Sequence, residues 1–394
     1  MDSPSAVTRP AERELPTYRA PTANRSARPW QLPLRATRRT RVVLAVFLGG
    51  WLAASSAAQG QTVFVDADRL AEIRRRVAAG EEPNASAFAA LREQARADLD
   101  RQAAVPTRWY VPGFYRDAAG HHQARVALAD DANAAYRLAL CYAVSGEPRY
   151  AAAAARLADA WATGIEEMSR ADDSTLCFSY HFPAMIAAAA LLEDAPAWTP
   201  EYRRRFRLFV RERALPMNTM DRQNNWGNWG LVLVAAAAAY LEDEDLLDEA
   251  AARWKEFIEL QIADDGHLPH EVHRNEGRRG LWYTHFSLMP QTLAGEILHR
   301  NGRNLFDYES PSGRSLRKAY ERAADWSLEP ETFPFFPAPA AEHLSNPAYT
   351  AYFEILHPRW PHAAAAELLR RQRPVRSSHS VVGLTLTHGE PLGP

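Results

Sequence analysis

The chain is short of several things, and each shortage excludes something. Only two of its 394 residues are cysteine, Cys141 and Cys177. A disulfide framework of the kind that staples small exported domains is therefore ruled out. One bridge is the most the sequence permits. Both cysteines lie in apolar, helix-patterned stretches, where buried free thiols are at least as well accommodated. Lysine is nearly missing: Lys255 and Lys318 stand alone among 46 basic residues, the rest being arginine. The net charge is only −2, so no overall positive field exists to attract nucleic acid. No apolar run reaches the roughly 20 residues of a membrane span. No motif recurs at the 34-residue period of a tetratricopeptide array. Alternation of apolar and polar residues is also scarce, and "SVVGLTLTHGE", Ser380 to Glu390, is the one strand-like stretch.

What is present is a hydrophobic content of 47%, enough for a large core. The first 31 residues are rich in Pro, Ser, Thr, Arg and Ala and have no apolar period. A basic stretch ending at Arg41 then precedes an apolar run, Val42 to Ala54, and small residues around Ser56-Ala57-Ala58. That order of charge, apolar run and small residues is the pattern of a secretory signal. It predicts an N-terminal extension and signal over residues 1–60, a mature chain starting near Gln59, and a periplasmic or secreted location without stable membrane insertion. Residues 61–394 are expected to form a single domain.

That domain reads as helix after helix. Apolar residues recur at helical spacing over Ala132–Val144, Tyr150–Ile165, Phe182–Leu192, Glu201–Leu215, Trp229–Leu241, Leu246–Ile262, Phe286–Arg300 and Arg314–Trp326. Short breakers such as "EDED" and "NGRN" separate them. Helices joined by short loops pack as antiparallel pairs. Without a fixed repeat, a succession of such pairs closes into a ring more readily than it extends as a solenoid. The expected fold is all-α, an incomplete α/α toroid.

Three segments carry chemistry. The first is "DRQNNWGNWG", Asp221 to Gly230, where three amides and two indoles crowd the start of an apolar helix. One asparagine is explained as an N-cap, which the spacing places near Asn225. Asn224, Asn225, Trp226, Asn228 and Trp229 together offer amide donors beside aromatic plates, a combination suited to a pyranose ring. The second segment is "DDGHLPHEVHRNEGRRGLWYTHFSL", Asp264 to Leu288, expected to be a long functional loop. Arg274, Arg278 and Arg279 have the fork geometry for a carboxylate. Guanidinium groups near Tyr283 would pull its phenol from about 10 toward the working range, making it a general base. His267, His270 and His273 do not have a standard zinc spacing, and Pro269 interrupts any helix that would align them, so no metal is expected. The third segment, "VPTRWYVPGFYRDAAGHHQ", Val105 to Gln123, holds Trp109, Tyr110, Phe114, Tyr115, His121 and His122 with a Pro-Gly break, fit either to cover a sugar-binding cleft or to plug the open side of the ring.

Taken together, "NNWGNW" and, about fifty residues on, "DGHLPHEVHRNEGRRGLWYTHFSL" resemble the alginate lyase superfamily. The corresponding pieces of polysaccharide lyase family 5 read NNHSYW and DGFLPNELKR, and the alginate or glucuronan lyases of family 38 are similar in layout. The resemblance spans roughly Val111 to Tyr308. It implies that Asn225 neutralises a substrate carboxylate with help from Arg274, and that Tyr283 removes and returns a proton. It fails at Trp226, which stands where family 5 has histidine. His181, next to Tyr180, His285 and Asn228 are the candidates to replace that histidine, and Arg278 is an alternative to Arg274. The implied activity is β-elimination in a uronic-acid polymer, with an acidic polysaccharide as partner and no cofactor required. Two rivals remain at this level: an α/α-barrel glycoside hydrolase, for which Asp172, Asp173, Asp264, Asp265 and Glu271 supply carboxylates, and a non-catalytic sugar-binding helical protein.

Overall fold

The computed structural model describes residues 63–337, 347–375 and 380–393. All of these belong to one unit, Ser56–Pro394. The expected export signal lies outside the described residues.

In chain order the helices are α1 (Ala67–Ala79), α2 (Asn84–Asp98), α3 (Ala118–Ser145), α4 (Pro148–Gly164), α5 (Ser174–Leu191), α6 (Pro200–Phe209), α7 (Asn225–Leu241), α8 (Glu244–Gln261), α9 (Pro269–Val272), α10 (Gly280–Arg300), α11 (Leu316–Leu328), α12 (Phe353–Leu356), α13 (Ala363–Gln372) and α14 (Leu384–His388). Beyond α6 the helix continues through a π turn, Val210–Ala214, into a 3-10 turn, Leu215–Met217. The described strands are the two-residue pair Arg108–Trp109 and Glu167–Met168, running parallel.

Helices α3, α5, α7 and α10 pack against one another in sequence, and α4, α6, α8 and α11 pack outside them. Each inner helix is joined to an outer one that returns the chain, so the four inner helices run the same way. Their N-terminal ends therefore meet at one mouth of the ring. This is the α/α toroid that the helix pattern predicts.

Residue chemistry explains the two layers. The outer α6 and α8 have wet and dry faces: in α8, Leu247, Ala250, Trp254, Phe257 and Ile258 face inward while charged residues face water. The inner α5 and α7 are buried on all sides. Alanine dominates them, as in "AAAAL" and "VAAAAAY", and lets neighbouring backbones approach closely. Caps set the starts: Asp66 accepts from Arg69 N at 2.7 Å, Asp117 from Gly120 N at 2.8 Å and Asp243 from Leu246 N at 3.1 Å.

The boundaries depart from expectation for the same reason. Amphipathic period finds a helix with one wet stripe, and an inner helix has none. Thus α5 begins at Ser174 rather than Phe182; α3 also begins early, at Ala118 rather than Ala132, but its added turns are largely exposed or half-buried. Two helices, α1 and α2, precede the first one expected. Most consequential is α10, which starts at Gly280 and so carries Trp282, Tyr283 and His285 on its first turns instead of in a loop. The strand-like C-terminal stretch also differs: Leu384–His388 is a short helix. Its threonines find polar partners inside the fold, Thr385 on Glu354 and Thr387 on the Gly383 carbonyl, so the alternation does not mark a half-wet strand.

Candidate active site

The mouth formed by the inner helix N-termini gathers the segments that the sequence analysis singled out. At the start of α7 the cap is Asn224, whose Oδ1 accepts from Trp226 N at 3.0 Å. Asn225, expected at the cap, is instead the first helical residue. Freed from capping, it donates to a carboxylate: its Nδ2 lies 3.0 Å and its backbone N 3.3 Å from Glu271 Oε1. Glu271 sits on α9, is 2% exposed, and also accepts from Ser287 Oγ of α10 at 3.2 Å. Its other oxygen accepts from Arg274 Nε at 3.1 Å. One buried carboxylate thus joins Asn225 to Arg274.

Arg274 reaches on to Tyr283, with its guanidinium carbon 5.1 Å from the ring centroid. Arg279 covers the same ring at 5.5 Å and stacks on Trp282 at 4.6 Å. Arg278 points elsewhere and lies over Phe336 at 5.6 Å. Of the three arginines, then, Arg274 and Arg279 attend Tyr283, and Arg278 does not replace Arg274.

The Tyr283 hydroxyl is 2.7 Å from that of Tyr115, on the loop before α3. Its acidity runs against the sequence-based expectation. Burial holds the Tyr283 phenol well above the usual tyrosine range, and the hydrogen bond and charge of Tyr115 add to this. Arg279 and Arg274 pull in the opposite direction and are outweighed. The resting phenol is therefore protonated.

Several expected site residues are not in the cleft. Asn228 is fully buried, donating to Gln261 Oε1 at 2.8 Å, and so neither holds a sugar nor replaces a histidine. Trp229 is fully buried against Tyr180 and Phe286. Tyr180 is itself buried, with its hydroxyl 3.2 Å from Cys177 Sγ. These rings wall the cleft from behind; neither can act as an open sugar plate. His285 is a core residue on the far face of α10. Its two ring nitrogens lie 3.0 Å from Tyr352 OH and 2.8 Å from Ser327 Oγ, and burial lowers its pKa to about 3. Both cysteines are buried free thiols.

His181 is 4% exposed, with Nε2 3.4 Å from Arg125 Nη1. Its ring packs on Tyr180 at 4.2 Å, and Tyr180 in turn meets Phe286 at 6.1 Å. Trp226 is half-buried, and its face is covered by the Arg222 guanidinium at 4.1 Å. Sequence reasoning did not single out Arg125 or Arg222. Most of the described arginines are matched by acids; Arg125, Arg222 and Arg279 are among the twelve described arginines with no carboxylate within ion-pair distance, and they lie against His181, Trp226 and Trp282. Unmatched guanidinium groups around a cleft favour an anionic occupant.

The carboxylates offered by the hydrolase reading are engaged elsewhere. Asp172 holds Tyr110 and Arg116, each at 2.6 Å. Asp173 accepts from Phe114 N at 2.8 Å, Asp264 pairs with Arg314 and Asp265 with His267. Glu271 is buried in the link described above, not solvated in a turn. Among the described residues no three His, Cys, Asp or Glu side chains cluster as metal ligands.

A family model described as alginate lyase matches residues 77–333. No curated protein matches the chain. Among solved structures, an alginate lyase from Bacteroides ovatus is 19% identical with a TM-score of 0.65, over 84% of this chain and 99% of that one. Alginate lyase A1-III from Sphingomonas species A1 is 17% identical with a TM-score of 0.68, over 87% of this chain and 100% of that one. A histidine-to-alanine form of A1-III complexed with a tetrasaccharide gives 17% identity and a TM-score of 0.69, over 86% and 98%. At these identities the solved structures speak for the fold, and the family match covers most of the toroid. The chain belongs to the alginate lyase family.

Proposed function

We propose that this polysaccharide lyase cuts a uronic-acid polymer, alginate or its polymannuronate blocks before glucuronan, by β-elimination with Tyr283 as both base and acid. The observation that carries this reading is the phenol of Tyr283, flanked by two guanidinium groups, one of them joined through Glu271 to Asn225.

The hydrogen on C5 of a uronate is only weakly acidic. The amide of Asn225 and the guanidinium of Arg274 hold the C6 carboxylate and stabilise the charge that develops as C5 loses its proton. The Tyr283 phenolate takes that proton, and the electrons of the C5–H bond form the C4–C5 double bond. The bond from C4 to the glycosidic oxygen breaks, and the leaving oxygen receives the proton from Tyr283, which returns to phenolate. In gluco- and manno-configured uronates the C5 hydrogen and the C4 oxygen share a ring face, so one tyrosine serves both steps. Because the phenol is protonated at rest, the cycle begins with loss of its proton to solvent hydroxide, which the loss of the Tyr115 hydrogen bond favours.

The test is a panel of polymannuronate, polyguluronate and glucuronan, followed by the ultraviolet absorbance of the unsaturated product. Tyr283→Phe is expected to abolish that product with unchanged thermal unfolding. Reducing ends appearing without the unsaturated chromophore would replace elimination by hydrolysis. Binding with no turnover would leave a sugar-binding protein. The N-terminal charge and apolar pattern supports export to the periplasm or beyond, and fractionation of a C-terminally tagged chain checks this.

A further inference from the structure

We infer that Glu271 is the positioning residue that sets the working orientation of both Asn225 and Arg274. This rests on the elimination reading above and assigns one more residue to its site.

A carboxylate can only accept hydrogen bonds. An asparagine amide has a donor end and an acceptor end that are nearly equal in shape, and its environment decides which way it points. Because Glu271 Oε1 lies 3.0 Å from the side chain of Asn225, the amide nitrogen must face it. The nitrogen carries two hydrogens, and Glu271 takes one. Asn225 is itself only 2% exposed, and on the elimination reading its second hydrogen is the one that meets the sugar carboxylate. Turned the other way, Asn225 would present its oxygen to the carboxylate and repel it.

The same side chain fixes Arg274. Its Oε2 accepts from Nε alone, at 3.1 Å. The two terminal nitrogens stay free for an incoming carboxylate, and the guanidinium plane stays against the Tyr283 ring. Anchoring an arginine through Nε leaves open the edge that binds carboxylates in parallel pairs. Two further features hold Glu271 itself rigid. It is 2% exposed, and it takes bonds from α7, from α10 through Ser287, and from the turn after α9. A buried charge with this many donors is well compensated, and loss of one element of the set is felt by the others. Glu271 does not reach the Tyr283 hydroxyl, and its contribution passes through the groups it orients.

Glu271→Gln tests this, because glutamine has the same size but only one acceptor end, so it cannot accept from Asn225 and from Arg274 at the same time. The expected loss in kcat/KM is on the order of 100-fold, the scale of losing one preorganised donor, with thermal unfolding shifted little. The deciding measurement is a pair of double-mutant cycles, one with Asn225→Ala and one with Arg274→Ala. If Glu271 works through both groups, each cycle shows coupling: Glu271→Gln costs less on either background than in the wild type. Losses that multiply fully in both cycles would overturn the inference and make Glu271 a structural pin. A parallel cycle reads the affinity for a mannuronate tetrasaccharide on the inactive Tyr283→Phe background. Coupling there, with no elimination by the wild-type enzyme, would remove the catalytic reading and keep Glu271 as the residue that orients the binding groups. Should Glu271→Gln fail to fold, Glu271→Asp keeps the charge, and the same cycles on it decide by the same criterion.

Discussion

The hydroxyls of Tyr115 and Tyr283 lie 2.7 Å apart, although 168 residues separate them in the chain. Tyr115 is 82% exposed at the cleft mouth, whereas Tyr283 sits in the wall. The bond ties a solvent-facing loop to the proposed base and supports its neutral form.

Removing that bond shifts the pH dependence in a predictable direction. Burial and Tyr115 both raise the Tyr283 pKa above its ordinary value in the free enzyme, so phenolate, and with it kcat/KM, increases as pH rises toward the alkaline range. Tyr115→Phe deletes one upward contribution and leaves the two arginines in place. The rising limb of the pH–rate profile is expected to move to lower pH. A limb that stays put would show that the Tyr115 hydroxyl has no hold on the base.

Neighbouring arginines should behave unequally. Arg279 covers the Tyr283 and Trp282 rings, whereas Arg278 lies on Phe336. Arg279→Ala is expected to lower kcat/KM on polymannuronate by about 10- to 100-fold, as loss of one charged donor in a site does. Arg278→Ala should stay within about twofold, the behaviour of an exposed cation. Steady-state kinetics on the pair decides it.

His285 makes the fold sensitive to acid. Its pKa drops from 6.5 to about 3 because burial disfavours the imidazolium. The unfolded chain therefore takes up this proton below pH 6.5, and the folded chain only near 3. Stability is retained above 6.5 and declines as pH falls through that window, by up to about 1.4 kcal/mol per pH unit for one proton. His285→Gln should flatten the decline by close to one proton in urea unfolding measured across that range.

Asn228 should matter for stability and not for substrate. It donates to Gln261, which also receives Gln291 Nε2 at 2.9 Å, all three amides being buried. Asn228→Ala removes a donor from this set and is expected to cost about 1–3 kcal/mol. KM should be unchanged. A raised KM with normal stability would place Asn228 back in the cleft.

How far the sequence reached differs from residue to residue. The helices with a wet stripe, such as α8, were legible within two residues, because their period reports a single buried face. The inner helices were legible in existence and poorly in extent, since burial on all sides erases the period. Tyr283 was singled out by its type among arginines, and Asn225 and Arg274 by the family resemblance; the structure links Asn225 to Arg274 through Glu271 and lays Arg274 on the Tyr283 ring. Trp229, Tyr180, Asn228 and His285 have equally suggestive types, but whether a side chain faces cleft or core depends on where the neighbouring helix runs. Glu271 was seen as one more acid in a polar stretch. Its burial depends on α7 and α10 closing over it.

The sequence by itself determined an all-α chain and the two segments that meet at the site, because helical period and residue type are local properties. Only the tertiary structure decided which amide meets the Glu271 carboxylate, which arginine attends the tyrosine, and whether that tyrosine rests charged or neutral. Those outcomes depend on desolvation and on hydrogen bonds between helices far apart in the chain, and no local pattern encodes the balance between burial of Tyr283 and the two guanidinium groups beside it.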